Sequence, residues 1–208
     1  ADHGGPEVPE HAAEFGIAAD RFPLGSFSDG GPLADSLKAR FGRDDLIAAH
    51  QHPYLYLDLA AIDELGVDVA EVERFVAGQM MKIPGIALAV PSSDMMTGLI
   101  PDMPLREMIY RNFHPQRSGN VHIVQEQYWF LHSNTGVRQL GVETLPAVHG
   151  SPWRYDTYVP IMFAGPGIAR RAVNRSVGPQ DVAPTLSAWF GLKPPSGSVG
   201  EPLEEILR

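Results

Sequence analysis

Two apolar patterns alternate along this chain, and their alternation limits its fold more than any other feature. Val72, Phe75, Val76 and Met80 recur at helical spacing behind Asp68, a residue type suited to capping a helix start. They predict a helix over residues 69–82. The same spacing through Leu33, Leu37 and Phe41 predicts a short helix over 32–41. Residues 105–113 read as a further helix with Arg106 and Arg111 outward, and 181–190 as another with Pro184 one turn in, where proline is tolerated. Between them lie runs of the other kind. Residues 86–90 form a compact apolar run consistent with a strand buried on both faces. Residues 46–49 and 54–59 read as short strands separated by Gln51-His52-Pro53, and 120–131 as a long one. Residues 158–164 read as an apolar strand closed by the turn Gly165-Pro166-Gly167. The first thirty residues hold Gly and Pro with little periodicity and read as an irregular surface segment. Helices alternating with buried strands point to an α/β layered sheet rather than a helical bundle or a sandwich.

Charge and cysteine usage narrow the partners. Sixteen basic residues stand against 25 acidic ones, a formal charge of −9, which argues against a nucleic-acid polymer or an anionic membrane as the main partner. An acidic chain that handles an anion needs a metal or a few aimed cations. There is no cysteine, hence no disulfide and no thiolate site. No apolar run reaches the roughly 18 residues of a membrane span, and the N-terminus lacks a signal-peptide layout. The chain opens on Ala1-Asp2-His3-Gly4-Gly5, which reads like the interior of a protein and predicts the C-terminal part of something longer.

The residues with chemistry to offer are few. Asp2 and His3 precede a glycine pair that permits a turn, so carboxylate and imidazole can converge on one zinc-like cation; the alternative is a capping Asp beside a solvated His. His149 lies in the turn-rich loop Val148-His149-Gly150-Ser151-Pro152 and reads either as a ligand or as a loop histidine bonded to a carbonyl. His50 and His52 form a His-x-His pair, for which Pro53 favours a solvated turn over a zinc site. His122 reads as a strand histidine, His132 as closing that strand, and His11 and His114 as surface residues. Arg117-Ser118-Gly119-Asn120 suits an anion or a turn equally. No nucleophile elbow, phosphate loop or dinucleotide fingerprint occurs.

Several segments recur here in one order. They are Ala1-Asp2-His3-Gly4, Gln116-Arg117-Ser118-Gly119-Asn120-Val121, His149-Gly150-Ser151-Pro152-Trp153-Arg154-Tyr155-Asp156-Thr157-Tyr158-Val159-Pro160-Ile161, Asp181-Val182-Ala183-Pro184-Thr185-Leu186 and Gly197-Ser198-Val199-Gly200-Glu201-Pro202-Leu203. The series resembles the C-terminal half of the alkaline phosphatase superfamily, in the branch of phosphate-irrepressible bacterial alkaline phosphatases and type I phosphodiesterase/nucleotide pyrophosphatases. The resemblance implies a layered α/β/α sandwich with a mostly parallel central sheet. Residues 1–208 would be the C-terminal portion of one catalytic domain, its N-terminal half absent. It also implies two zinc ions about 4 Å apart, with Asp2 and His3 on the ion that activates the nucleophile and His149 on the ion at the leaving oxygen.

The expected reaction is hydrolysis of small phosphate monoesters through a covalent phospho-threonine or phospho-serine, in a periplasmic or secreted protein. The nucleophile and the remaining ligands have no counterpart in this sequence, so the segment alone is expected to be inactive. A phosphodiesterase or nucleotide pyrophosphatase on the same scaffold is the alternative. A metal-free α/β module is the other, and imidazoles of His3 and His149 more than about 10 Å apart would favour it over the two-metal reading.

Overall fold

A computed structural model describes residues 2–22, 27, 31–131, 147–168 and 170–207. They fall into two compact units, residues 2–158 and residues 159–208. His132, expected to close a strand, lies outside the described residues.

The first unit is built on a four-stranded sheet of β1 (Ile47–Gln51), β2 (Tyr54–Leu57), β3 (Ile86–Pro91) and β4 (Val121–Gln125), in the order β1-β2-β4-β3. Every pairing is antiparallel, with Tyr54 opposite His122 and Val90 opposite the same histidine on the other side. The α/β class expected from the sequence is therefore present. A mostly parallel sheet is not seen among the described strands, because β1 and β2 join directly as a hairpin and β4 inserts between β2 and β3.

Helices cover both faces of this sheet. Helix α2 (Pro32–Phe41) buries Leu33 and Leu37 as its spacing requires and ends on Gly42 in the left-handed conformation, where glycine carries no Cβ penalty. Helix α4 (Val69–Met80) starts at Asp68, whose carboxylate accepts from the Ala70 N–H. Its Val72, Val76 and Met80 are fully shielded against Leu55, Val121 and Ile123, and Phe75 packs at the margin. Full burial of such a side chain contributes roughly 1.5–3 kcal/mol. On the other face Val90, Ile109 and Val124 pack with Met95 and Ile100. β4 thus lies between two apolar layers and all five of its residues are buried.

One buried carboxyl group ties the layers together. Glu73 of α4 accepts from the Ser93 N–H (2.9 Å) and from Asn120 Nδ2 (2.9 Å), while Asn120 Oδ1 accepts from the Leu57 N–H (3.0 Å). The segment Arg117-Ser118-Gly119-Asn120 is accordingly a turn: Ser118 Oγ accepts from the His114 N–H, and a Cβ on Gly119 would lie 2.6 Å from the Leu55 carbonyl oxygen.

The structure revises several boundaries. Helix α1 (Pro9–Glu14) interrupts the stretch read as irregular, starting on a proline that needs no helical N–H partner. Leu59, read as the end of a strand, opens helix α3 (Leu59–Leu65), because Asp58 caps it by accepting from the Ala61 N–H. Helices α5 (Ser92–Thr97) and α6 (Arg106–Arg111) follow, the latter two residues shorter than expected at its C-terminal end. The long strand over 120–131 stops at Gln125, where Trp129 N–H bonds back to the Glu126 carbonyl and Tyr128 takes φ 65°, turning the chain. Helix α7 (Arg154–Thr157) lies in the His149 loop.

Residues 158–164, nearly all of them in the second unit, form no strand, and Met162 is 83% exposed. A strand requires an edge to pair with, and apolar sequence alone does not supply one. The expected helix is α8 (Val182–Trp189), entered through a 3₁₀ turn at Pro179–Asp181. Asp181 accepts from the Gly178 and Glu201 N–H groups, and buried Thr185 Oγ1 accepts from the Leu203 N–H (2.8 Å), which draws the segment before helix α9 (Glu204–Leu207) onto α8. The segments 181–186 and 197–203 singled out in the sequence thus build this unit.

Candidate metal centre

The loop that carries Asp2 and His3 is seated on the loop that carries His149. The Gly4 N–H donates to the Asp156 carbonyl (2.8 Å), and a Cβ added to Gly4 would lie 1.9 Å from the Tyr155 carbonyl oxygen. Only a residue without a Cβ permits this approach. Gly5 touches the loop's other side less tightly: a Cβ there would lie 3.6 Å from the Val148 carbonyl oxygen, an ordinary van der Waals contact.

The His149 loop is itself fastened to the sheet. Trp153 Nε1 donates to the carbonyl of Gln125, the last residue of β4, at 2.8 Å. The Tyr128 N–H donates to the Tyr155 hydroxyl (3.2 Å), and burial pushes that phenol's pKa up. Within the loop, Asp156 Oδ2 accepts from both the Ser151 N–H (2.7 Å) and the Ser151 hydroxyl (2.6 Å). Asp156 is buried, and its Oδ1 is also buried, with no partner among the described residues.

The result is contact between the two histidines. Their imidazole rings stack with centroids 3.8 Å apart and planes 15° apart, well inside the limit of about 10 Å for a shared two-metal site. His3 Nδ1–H donates to the Gly4 carbonyl (2.7 Å), which leaves the Nε2 lone pair for a ligand. That Nε2 lies 3.7 Å from Asp2 Oδ2. The Asp2 carboxyl is held below the usual range, first by its own backbone N–H and then by His3, so it is an anion at neutral pH. Asp2, His3 and His149 are all exposed.

These donors fit zinc in kind: carboxylate oxygen and imidazole nitrogen. Nearly parallel rings cannot both aim at one tetrahedral ion, but their spacing matches the 3.5–4 Å between the ions of a two-metal site. They do not fit in number. Among the described residues no group of three or more His, Asp or Glu is arranged around one point.

The remaining histidines do not join the pair. His50 stands in β1 with its ring edge-on to Phe27, and His11 and His114 are exposed. His122 is buried in β4, its ring 4.8 Å from that of Tyr54, and burial together with nearby His52 lowers its pKa to about 4. Its Nδ1 has no partner among the described residues, unlike the satisfied core histidine of the ordinary case. His52 lies against the His149 loop, with Nε2 3.4 Å from where a Gly150 Cβ would be. Asp156 has no assigned role in the sequence; its signal there is its place in the motif running from His149 to Ile161, five residues after Ser151.

No family model matches the chain. Among curated proteins it is 26% identical over 211 residues to alkaline phosphatase PafA of Elizabethkingia meningoseptica, covering all of this chain and 36% of that protein. It is 26% identical to a protein named calcium-transporting ATPase from Myroides odoratus, again over the whole chain and 36% of the relative. It is 27% identical to alkaline phosphatase PhoV of Synechococcus elongatus, over the whole chain and 35% of the relative. Among solved structures, wild-type PafA superposes over the whole chain and 37% of its own length, with a TM-score of 0.83 and 23% identity. The chain thus spans little more than a third of the relatives it matches, and the part matched is a C-terminal one.

Proposed function

We propose that this chain, similar along its whole length to a C-terminal portion of alkaline phosphatases, supplies part of the metal centre of a phosphate monoesterase. The observation that carries the reading is the stacked pair His3 and His149 beside Asp2, reached by two loops far apart in sequence. In this reading Asp2 and His3 would hold one zinc ion and His149 the other. Two such ions, when bound, place positive charge at the attacking and the leaving oxygens of an in-line displacement. They also answer the charge problem, since a chain of net −9 otherwise repels a phosphate ester.

The chain's own part is to aim the ligands. The Gly4 carbonyl holds the His3 tautomer, and the Gly4 amide holds the loop. The nucleophilic hydroxyl, a threonine or serine outside these 208 residues, would attack phosphorus as the ester P–O bond breaks and the alcohol leaves with a proton. Water would then cleave the phospho-enzyme to inorganic phosphate and restore the hydroxyl. The same resemblance supports an exported protein, periplasmic or secreted, as part of this reading. Among the described residues no helix is long and apolar enough to cross a membrane.

The test is hydrolysis of nitrophenyl phosphate and of bis-nitrophenyl phosphate by the full-length protein carrying this chain, with and without a chelator. Chelator-sensitive turnover that favours the monoester supports the proposal. Preference for the bis ester moves it to phosphodiesterase chemistry, and turnover indifferent to chelation defeats it.

A further inference from the structure

We infer that Asp156 is a positioning residue that sets the distance between His3 and His149, an inference that rests on the two-metal reading above. A single residue reaches both ligand-bearing loops by different groups. Its carboxylate oxygen Oδ2 takes both hydrogen bonds from Ser151, two residues beyond His149. Its main-chain carbonyl takes the amide of Gly4, one residue beyond His3. Moving Asp156 therefore moves both imidazoles, and groups that hold metal ligands in place commonly govern metal affinity as strongly as 10–100-fold.

Three further observations favour positioning over simple core filling. Asp156 is only 4% exposed, yet its Oδ1 has no partner among the described residues, which makes a carboxylate a poor choice for stability alone. Asp156 closes a turn onto the Trp153 carbonyl, and Trp153 is anchored to the end of β4, so the clasp is referred to the rigid sheet. The neighbouring Tyr155 receives the N–H of Tyr128, which holds a left-handed φ of 65°; such a conformation in a bulky residue persists only where its surroundings enforce it.

The experiment compares wild type with Asp156→Ala, Asp156→Asn and Ser151→Ala in the full-length protein, reading amide exchange in the metal-free form and zinc affinity by chelator competition. For Asp156→Ala the expected result is at least tenfold faster exchange in residues 2–6 and 147–153 with β4 still protected. Zinc affinity should fall 10–100-fold. Asp156→Asn, whose amide oxygen can still accept from Ser151, should recover much of both. If Asp156→Ala does not fold, Ser151→Ala decides, with a smaller change in the same two segments and in affinity. Unchanged exchange and unchanged affinity overturn the inference. Wild type that takes up no zinc defeats the metal reading instead, while the exchange data still judge the clasp.

Discussion

His3 and His149 meet face to face, 3.8 Å between ring centroids and 15° between planes, although one precedes every element of the fold and the other follows β4. Two exposed imidazoles gain little from stacking in water, so the loops must hold them there. Gly4 shows how: its amide bonds the Asp156 carbonyl, and its α-carbon sits where any side chain would strike Tyr155.

Gly4→Ala should therefore push the Asp2-His3 loop off its seat. The 1.9 Å clash is with backbone and cannot be relieved by a rotamer. Zinc affinity of the full-length protein should drop at least about tenfold, as for other disturbed ligand supports. Global stability should change by only about 1 kcal/mol, one lost hydrogen bond. Chelator competition and thermal unfolding measure the two. Unaltered affinity would mean that the loop's seat does not set the ligands.

The 208 residues on their own should not turn over nitrophenyl phosphate at a chelator-sensitive rate. Asp2, His3 and His149 cannot complete two sites of about four ligands each. A rate abolished by chelation in the isolated chain would refute this.

His122 makes the fold acid-sensitive. It is buried against Tyr54 and close to His52, and its pKa is lowered from 6.5 to about 4. The folded state thus binds fewer protons than the unfolded chain. The stability it contributes is fully present above about pH 6.5 and is lost as pH falls toward 4, a total of roughly 3 kcal/mol. His122→Phe should flatten the stability profile over that window, as read by denaturant unfolding at a series of pH values. An equally steep acid loss in the variant would assign the effect elsewhere.

Glu73→Ala should cost roughly 2–4 kcal/mol, because the Ser93 N–H and the Asn120 amide lose their shared acceptor inside the fold. Glu73→Gln keeps one acceptor oxygen and should cost less. The midpoint of denaturant unfolding separates the three proteins, and equal midpoints would show that Asn120 finds another partner.

Local pattern accounts for what the sequence made legible. Helix α4 with its Asp68 cap, helix α2 and strand β3 each depend on spacing within a few residues, and each appears close to its expected bounds. Contacts between distant residues account for the rest. β4 ends early because Tyr128 turns the chain to reach Tyr155, 27 positions on. Residues 158–164 carry strand composition yet pair with no strand among the described residues, and the pairing order β1-β2-β4-β3 has no local signature. At the site, Asp2, His3 and His149 were legible as residue types and as an ordered motif series. Their meeting was not, since it depends on the carbonyl of Asp156 and the bare α-carbon of Gly4.

A zinc-edge anomalous map of the full-length protein, grown with zinc, tests the central claim most directly. The account predicts two peaks about 4 Å apart. It places a His3 nitrogen roughly 2.0–2.1 Å from one and a His149 nitrogen at the same distance from the other. A map with no zinc at either imidazole, or with both rings on a single ion, would contradict it.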